Sequence, residues 1–318
     1  MWERRSLMKQ YGKHMRLRSL SFAVSALLAV SLFSGCGSAP AAGDGGGNRP
    51  SSVGTEERVI ALSKSNAELW VLAGGSLVAT SDDASEIEGL NRDVQFLGDM
   101  DHVSLEAVTA LDPDRLIVFS TDPAQKALGE AASEIGIPVS YTNIDSFADY
   151  EEVMTEFTDA TGRTDLYEKN VSEVKERIAQ VREKAGEGGK GKTYLLLHIS
   201  ATKSKAEKND YFASEIFNDL GLENIAADES AFNELSMEAI LSADPDYIFV
   251  VPRGDEAKAI AGFEEIFVSD PAWNTLSAVK NGKYMLLSKD LFGLKPNDRW
   301  GEAYEEAYRL IFSDEEGS

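Results

Sequence analysis

This chain of 318 residues has few of the side chains that metal and disulfide chemistry needs. Its only cysteine is Cys36, so no intramolecular disulfide can form. Three histidines are too few for the histidine-rich cluster that a bare zinc or manganese ion would favour. Lysine and arginine number 31 against 54 aspartate and glutamate residues, a formal net charge of −23. Because of this acidity, nucleic acid is not an expected partner.

The sequence also lacks the usual signatures of a hydrolase. It has no Gly-x-Ser-x-Gly elbow and no His-Glu-x-x-His pair, and its one cysteine lies in the N-terminal region. We therefore expect that the protein is not an enzyme, and the sequence indicates no resident cofactor.

The N-terminal region departs from the acidic composition of the rest. Residues 1–19 are rich in arginine and lysine, and 20–33 form an apolar run too short for a comfortable transmembrane helix. This pattern predicts a signal peptide over 1–35. The residues before Cys36, Leu-Phe-Ser-Gly, resemble a bacterial lipobox, in which the cysteine becomes lipidated. The Gly- and Ala-rich stretch 36–57 would then be a flexible tether that holds the folded body at the outer side of the cell membrane.

One pattern occurs twice, at 104–118 and at 236–250. Each copy has a serine able to cap a helix, a glutamate in the first turn, a short apolar helix, an Asp-Pro-Asp break and a β-branched strand. The duplication predicts two lobes of similar construction. It also singles out Glu106 and Glu238, since a glutamate that only offsets a helix dipole need not be repeated in both lobes.

Strand and helix signals alternate along the rest of the chain, which predicts an α/β fold with mostly parallel sheets. We expect two Rossmann-like lobes with a ligand cleft between them. Apolar residues at three- and four-residue spacing over 165–185 predict one long amphipathic helix between the lobes. The expected boundaries are 58–163 for the N-terminal lobe, 164–190 for the connecting helix and 191–313 for the C-terminal lobe.

Taken together, the chain resembles the lipoprotein substrate-binding subunits of ATP-driven importers for ferric siderophores, haem and cobalamin. The resemblance covers nearly all of 58–312. It implies a monomer whose partners are a small-molecule iron chelate and a two-subunit membrane permease with ATPase subunits. It also implies that Glu106 and Glu238 dock onto permease arginines. The residues that carry it are Arg58-Val-Ile-Ala-Leu-Ser63, both glutamate-containing repeats, Gly221-Leu-Glu-Asn-Ile225 and the segment 271–284.

The cleft is expected at the carboxyl ends of the strands. Basic side chains there could hold the anionic groups of a siderophore or the haem propionates, or they could form ordinary surface ion pairs. The candidate cleft residues are Ser63, Lys64, Asn66, Met100 and His102 in the first lobe, and His198, Arg253, Phe292, Lys295 and Arg299 in the second.

Met100 and His102 are the candidates for a haem-iron ligand. They precede Glu106 at the place where haem-binding members of the family have an axial ligand, but they also fit a packing methionine and a loop histidine. Gly293 leaves the second lobe without an evident second ligand, so no firm metal site is predicted. The expected ligand is a ferric siderophore or haem. Cobalamin, or a sensing module of the same fold with a receptor as its partner, remain the alternatives.

Overall fold

The computed structural model describes residues 57–227 and 235–312. A parallel sheet in its first half consists of β1 (Val59–Ala61), β2 (Leu77–Thr80), β3 (Gln95–Phe96), β4 (Arg115–Phe119) and β5 (Val139–Thr142). From edge to edge the strands follow the order β3-β2-β1-β4-β5. The central strands β1 and β4 are buried on both faces, which explains their continuous apolar sequences.

Helices cover both faces of this sheet. They are α1 (Lys64–Leu72), α2 (Leu105–Thr109), α3 (Pro123–Glu134) and α4 (Phe147–Thr161). A serine or aspartate precedes each helix, and its side chain accepts a hydrogen bond from a backbone N–H of the first turn. α4 ends at Gly162, whose φ of 70° forms a left-handed cap.

The connection to the second half is helical but not uniform. It consists of α5 (Thr164–Tyr167), a π-type turn (Glu168–Ser172) and α6 (Glu173–Ala185). In the π turn the buried Asn170 donates to the Leu72 carbonyl at 2.8 Å, and the Tyr150 hydroxyl donates to the Asn170 carbonyl at 2.8 Å. The helix predicted over 165–185 is therefore present, but contacts with α1 and α4 distort its first part.

The second half builds another sheet from β6 (Thr193–Ile199), β7 (Ser204–Ala206), β8 (Glu223–Asn224), β9 (Tyr247–Pro252) and β10 (Tyr284–Leu286). The order is β10-β9-β6-β7, and β8 pairs with the start of β6. Among the described strands only the β6–β7 pairing is antiparallel.

The remaining helices belong to the second half, and the last of them packs against the helical connection between the halves. This helix, α12 (Trp300–Phe312), packs along α6, where Arg177 holds the Glu305 carboxylate with nitrogen–oxygen distances near 3 Å. These helices are α7 (Phe212–Asp219), α8 (Met237–Ala243), α9 (Glu256–Phe263), α10 (Ser277–Lys280), α11 (Lys289–Phe292) and α12 (Trp300–Phe312).

One continuous apolar core joins the inner faces of the two sheets. In it, Trp300 is fully buried and meets Phe147 of the first half edge-on, with ring centroids 6.0 Å apart. It meets Phe212 of the second half in the same way at 5.8 Å. Trp300 is therefore a packing residue, and the shared aromatic contacts tie the halves together.

The predicted α/β fold with mostly parallel sheets is confirmed. The elements that were not predicted include α4, the short helices α10 and α11, the antiparallel β7 and the two-residue strands β3 and β8. The last helix begins at Trp300, directly after a 3-10 turn formed by Asn297–Arg299. The predicted signal peptide (1–35) and nearly all of the tether (36–57) lie outside the described residues, and these limits and the lobe boundaries stay predictions.

Candidate ligand-binding cleft

Two loops from different halves meet beside the carboxyl ends of the strands, the edge at which open α/β sheets bind their ligands. The first follows β5 and contains Asp145; the second precedes α12 and contains Lys295 and Asn297. Lys295 Nζ lies 3.1 Å from Asp145 Oδ1, and Asn297 Nδ2 donates to Glu68 Oε2 at 2.5 Å. These contacts close the base of the cleft between the halves.

The base of the cleft is polar and largely buried. Asn297 is 1% exposed and has a φ of 50°, an uncommon value for a residue other than glycine, which its hydrogen bond to Glu68 helps to hold. Burial raises the pKa of Glu68, and the bond from Asn297 offsets part of this effect. Burial raises the pKa of Asp298 as well. Burial thus disfavours the ionised forms of Glu68 and Asp298.

Lys295 is held from both sides. Its ammonium lies 4.9 Å from the centre of the Phe212 ring and pairs with Asp145, whose other oxygen accepts from Asn143 Nδ2 at 2.6 Å. The Lys295 side chain is 24% exposed. Burial lowers the pKa of Lys295, and Asp145 counteracts that shift.

On the second-lobe wall, His198 belongs to a buried polar cluster. Its Nδ1 lies 3.2 Å from Glu207 Oε1, and Lys205 Nζ donates to Glu207 Oε2 at 2.9 Å. Burial disfavours the charged Glu207 carboxylate, but these partners outweigh that effect and the pKa of Glu207 is lowered. The His198 ring packs against Tyr211 at 5.6 Å, and the Tyr211 hydroxyl donates to the Phe292 carbonyl at 2.6 Å. This wall is therefore fixed by internal hydrogen bonds.

On the first-lobe wall, Met100 lines an open depression of about 340 Å³ together with aspartates. His102 is 83% exposed and its Nδ1 lies 3.4 Å from Asp99 Oδ1, so it is a surface histidine in this conformation. The other lining residues of the depression are Asp82, Asp83, Asp99 and Asp101.

Three candidate residues are buried and serve the fold. Ser63 has a φ of 86° and caps α1 with its side chain. Its backbone N–H donates to the Ser81 hydroxyl oxygen at 2.8 Å. Asn66 accepts from the Thr142 hydroxyl at 2.6 Å and is fully buried, as is the Phe292 side chain. The expectation that these side chains line the cleft is corrected, because they pack between strands and helices.

The remaining basic candidates differ in their contacts. Arg299 pairs with Glu302 at 3.0 Å, one helical turn further on, which matches the surface ion-pair interpretation. Arg253 is exposed, and its backbone N–H donates to the Ile199 carbonyl at 2.7 Å. Within the described ranges, the Arg253 guanidinium and the Lys64 ammonium form neither a hydrogen bond nor an ion pair.

Glu106 and Glu238 occupy equivalent places in the two halves. Each lies in the first turn of a helix, α2 or α8, whose capping serine accepts from a backbone N–H at 3.2 Å. Both glutamates are exposed, and across the part of the chain that is described their carboxylates have no hydrogen-bond or ion-pair partner. Since α2 and α8 lead into the parallel strands β4 and β9, their N-termini lie at the cleft edge of each sheet.

The Asp-Pro-Asp breaks are also equivalent in structure. Asp114 accepts from the backbone N–H of Arg58, which precedes β1, and Asp246 accepts from that of Thr193 at the start of β6, both at 2.8 Å. The repeated sequence thus fixes the helix and its glutamate relative to the central strands in both halves.

Gly293 cannot be replaced by a ligating side chain without movement, since a Cβ there would lie 2.9 Å from Val251 Cγ1 and 3.0 Å from the Lys289 carbonyl. Within 57–227 and 235–312 there is no cluster of three or more histidine, cysteine, aspartate or glutamate side chains suited to a metal ion. The described helices include none long and apolar enough to cross a membrane.

Sequence reasoning missed Asp145, Glu68, Glu207 and Tyr211. Glu68 follows Lys64 by one helical turn and Glu207 follows Lys203 and Lys205, so both resembled ordinary surface charges. Only the pairing of distant segments buries them.

Two α/β lobes with a cleft at the strand ends define a bilobal solute-binding protein. A family model described as periplasmic binding protein matches residues 59–291, and the chain belongs to this family. The chain is 23% identical to the Fe(3+)-citrate-binding protein YfmC of Bacillus subtilis over 74% of this chain and 75% of that protein. It is 25% identical to the ABC transporter substrate-binding lipoprotein YvrC of the same species, over 91% and 95% of the two chains.

Among solved structures, Staphylococcus aureus IsdE complexed with heme superposes with a TM-score of 0.68 at 18% identity, covering 81% of this chain and all of that one. This likeness shows the fold. Other relatives bind iron(3+)-hydroxamate or vitamin B12.

Proposed function

We propose that this protein is the lipid-anchored substrate-binding subunit of an ABC importer. It captures an iron chelate, a ferric siderophore or haem, outside the cytoplasm and delivers it as a monomer to a two-subunit membrane permease with ATPase subunits. Membership of the periplasmic binding protein family and the names of the relatives support a role in solute binding for import.

The observation that carries the delivery step is the pair Glu106 and Glu238. Both carboxylates are exposed on capped helices at the cleft edge of the two halves. A carboxylate that has no internal partner is available for a bidentate contact with an arginine of another protein. Two such contacts, one from each half, would orient the cleft toward the permease.

The test is uptake of radiolabelled iron chelate by cells that carry Glu106→Ala together with Glu238→Ala. We expect uptake to be lost while the affinity of the purified protein for the chelate is unchanged. A matched control, Glu134→Ala with Glu183→Ala, removes two exposed glutamates near the ends of α3 and α6, at the opposite edge of the sheets. Normal uptake by the first double variant would refute the docking assignment.

The anchor is tested separately, because Cys36 lies outside the described residues. Cys36→Ala should release the protein from membranes into the soluble fraction. Retention of this variant in washed membranes would refute the lipid anchor.

The ligand is tested by titrating the full-length protein with haemin, ferric siderophores and cyanocobalamin. A Soret band that weakens on Met100→Ala or His102→Ala would establish haem, whereas fluorescence quenching without a Soret change would indicate a siderophore. Relatives that bind vitamin B12 keep cyanocobalamin as the second candidate. If none of these ligands changed the absorbance or the fluorescence, a sensing module would be favoured.

A further inference from the structure

Three basic side chains beside the cleft have internal partners, whereas the Lys64 ammonium and the Arg253 guanidinium have none among the described residues. Lys295 Nζ is 3.1 Å from Asp145 and Arg299 is 3.0 Å from Glu302. Lys289 Nζ donates to the Gly254 carbonyl at 3.1 Å. An anionic ligand would have to compete with these partners for Lys295, Arg299 and Lys289.

The loops that follow the first-sheet strands add a negative field. Met100 and its aspartate neighbours form the depression on this wall, where Asp83 accepts from the backbone N–H of Lys64 at 2.9 Å. Most of these aspartates are exposed, so solvent screens each single charge, but together they repel an approaching anion. The aspartates of these loops are Asp82, Asp83, Asp99, Asp101, Asp122 and Asp145.

Lys295 is the most enclosed of the cleft cations, and Asp145 is the residue that neutralises it. Asp145 is itself fixed, since Asn143 donates to its second oxygen. The pair joins loops of the two halves across the base of the cleft, so displacing Asp145 would leave a carboxylate next to the incoming anion.

We infer that Asp145 sets the charge preference of the cleft: by holding Lys295 in an ion pair between the halves, it favours iron chelates without net negative charge over anionic ones. This inference rests on the proposed function and names its ligand class. Ferric trihydroxamates fit this preference, whereas ferric citrate and the propionates of haem do not.

The test compares two probes on the full-length protein in mild detergent. Ferrioxamine B is a ferric trihydroxamate with a pendant ammonium and a net positive charge, and ferric citrate is anionic. We expect tighter binding of ferrioxamine B by the natural protein. Asp145→Asn should raise the affinity for ferric citrate about tenfold, the value of one partly solvated charged hydrogen bond, and should not raise that for ferrioxamine B.

Two variants isolate the cause. Asp145→Asn with Lys295→Met should lose the gain for ferric citrate, because the freed ammonium is absent. Glu187→Gln, which removes the same charge from an exposed pair with Lys190 before β6, should leave both affinities unchanged.

Two results would overturn the inference while leaving the import function in place. One is ferric citrate binding as tightly as ferrioxamine B in the natural protein; the other is Asp145→Asn weakening both probes, as a purely structural residue would. Failure to bind either probe, haemin or cyanocobalamin would instead overturn the proposed function and this inference with it.

Discussion

Replacing Glu207 by Gln should destabilise the protein at pH 7, because its carboxylate is held in a buried cluster. The Glu207 side chain is 6% exposed and bonds to His198 at 3.2 Å and to Lys205 at 2.9 Å. Lys205 is 64% exposed, so its ion pair adds little. The main loss is one charged hydrogen bond at a buried acceptor, about 1–3 kcal/mol. For a protein of this size that lowers the Tm by about 2–4 °C per kcal/mol.

The pH dependence of this loss has a defined sign. The pKa of Glu207 is lower in the folded protein than its ordinary value of 4.5. Its contribution to stability is therefore present above pH 4.5 and disappears as the pH falls through the folded pKa. Thermal unfolding at a series of pH values should show the natural protein and Glu207→Gln converging in acid.

Glu215→Gln provides the matched control. It removes the same charge, but the pKa of Glu215 is shifted in the opposite direction from that of Glu207. Burial raises the pKa of Glu215, which accepts from the backbone N–H of Phe147 at 2.9 Å, a bond that glutamine can preserve. A raised pKa means that stability is greatest below the ordinary value and declines as the carboxyl ionises. Glu215→Gln should therefore unfold at the same or a higher temperature at pH 7, with the difference vanishing in acid. Equal destabilisation by both variants, or a cost of Glu207→Gln that persists in acid, would refute the electrostatic argument.

Two further substitutions test packing. Trp300→Ala should lower the free energy of unfolding by about 3–5 kcal/mol in denaturant titrations, since it empties the aromatic contact shared by both halves; a loss below about 1 kcal/mol would mean that the halves do not share this core. Gly293→Ala should cost about 1–3 kcal/mol in thermal unfolding because its Cβ would lie 2.9 Å from Val251 Cγ1. Unchanged stability of that variant would refute this prediction and show that the backbone around Gly293 can move to accommodate a Cβ.

The shared core bears on how such a protein could release its ligand. Trp300 contacts both halves, and the Lys295–Asp145 and Asn297–Glu68 bonds cross the base of the cleft. Wide separation of the halves would expose these aromatic rings and break both bonds. A small hinge motion, or relative displacement of the cleft loops, is compatible with them.

Local patterns predicted much of the fold because they act over a few residues. Serine caps, apolar periodicity and β-branched runs located the duplicated helix-strand units and the connecting helix. The repeat also located Glu106 and Glu238. α4 had comparable signals, a cap at Ser146 and apolar residues spaced along one face, and could have been predicted. The strands β3 and β8 could not, because two residues form a strand only when a neighbouring strand pairs with them.

The sequence by itself determined the acidic character, the α/β class and the duplicated helix-strand unit with its two glutamates, since each depends on composition or on near neighbours. Tertiary structure alone decided which cleft candidates are accessible. Asn66 and Phe292 became core residues, while Lys295 acquired Asp145, a partner 150 residues away in sequence. Burial and ion pairing between distant segments depend on how the two sheets pack together, and no local pattern encodes that contact.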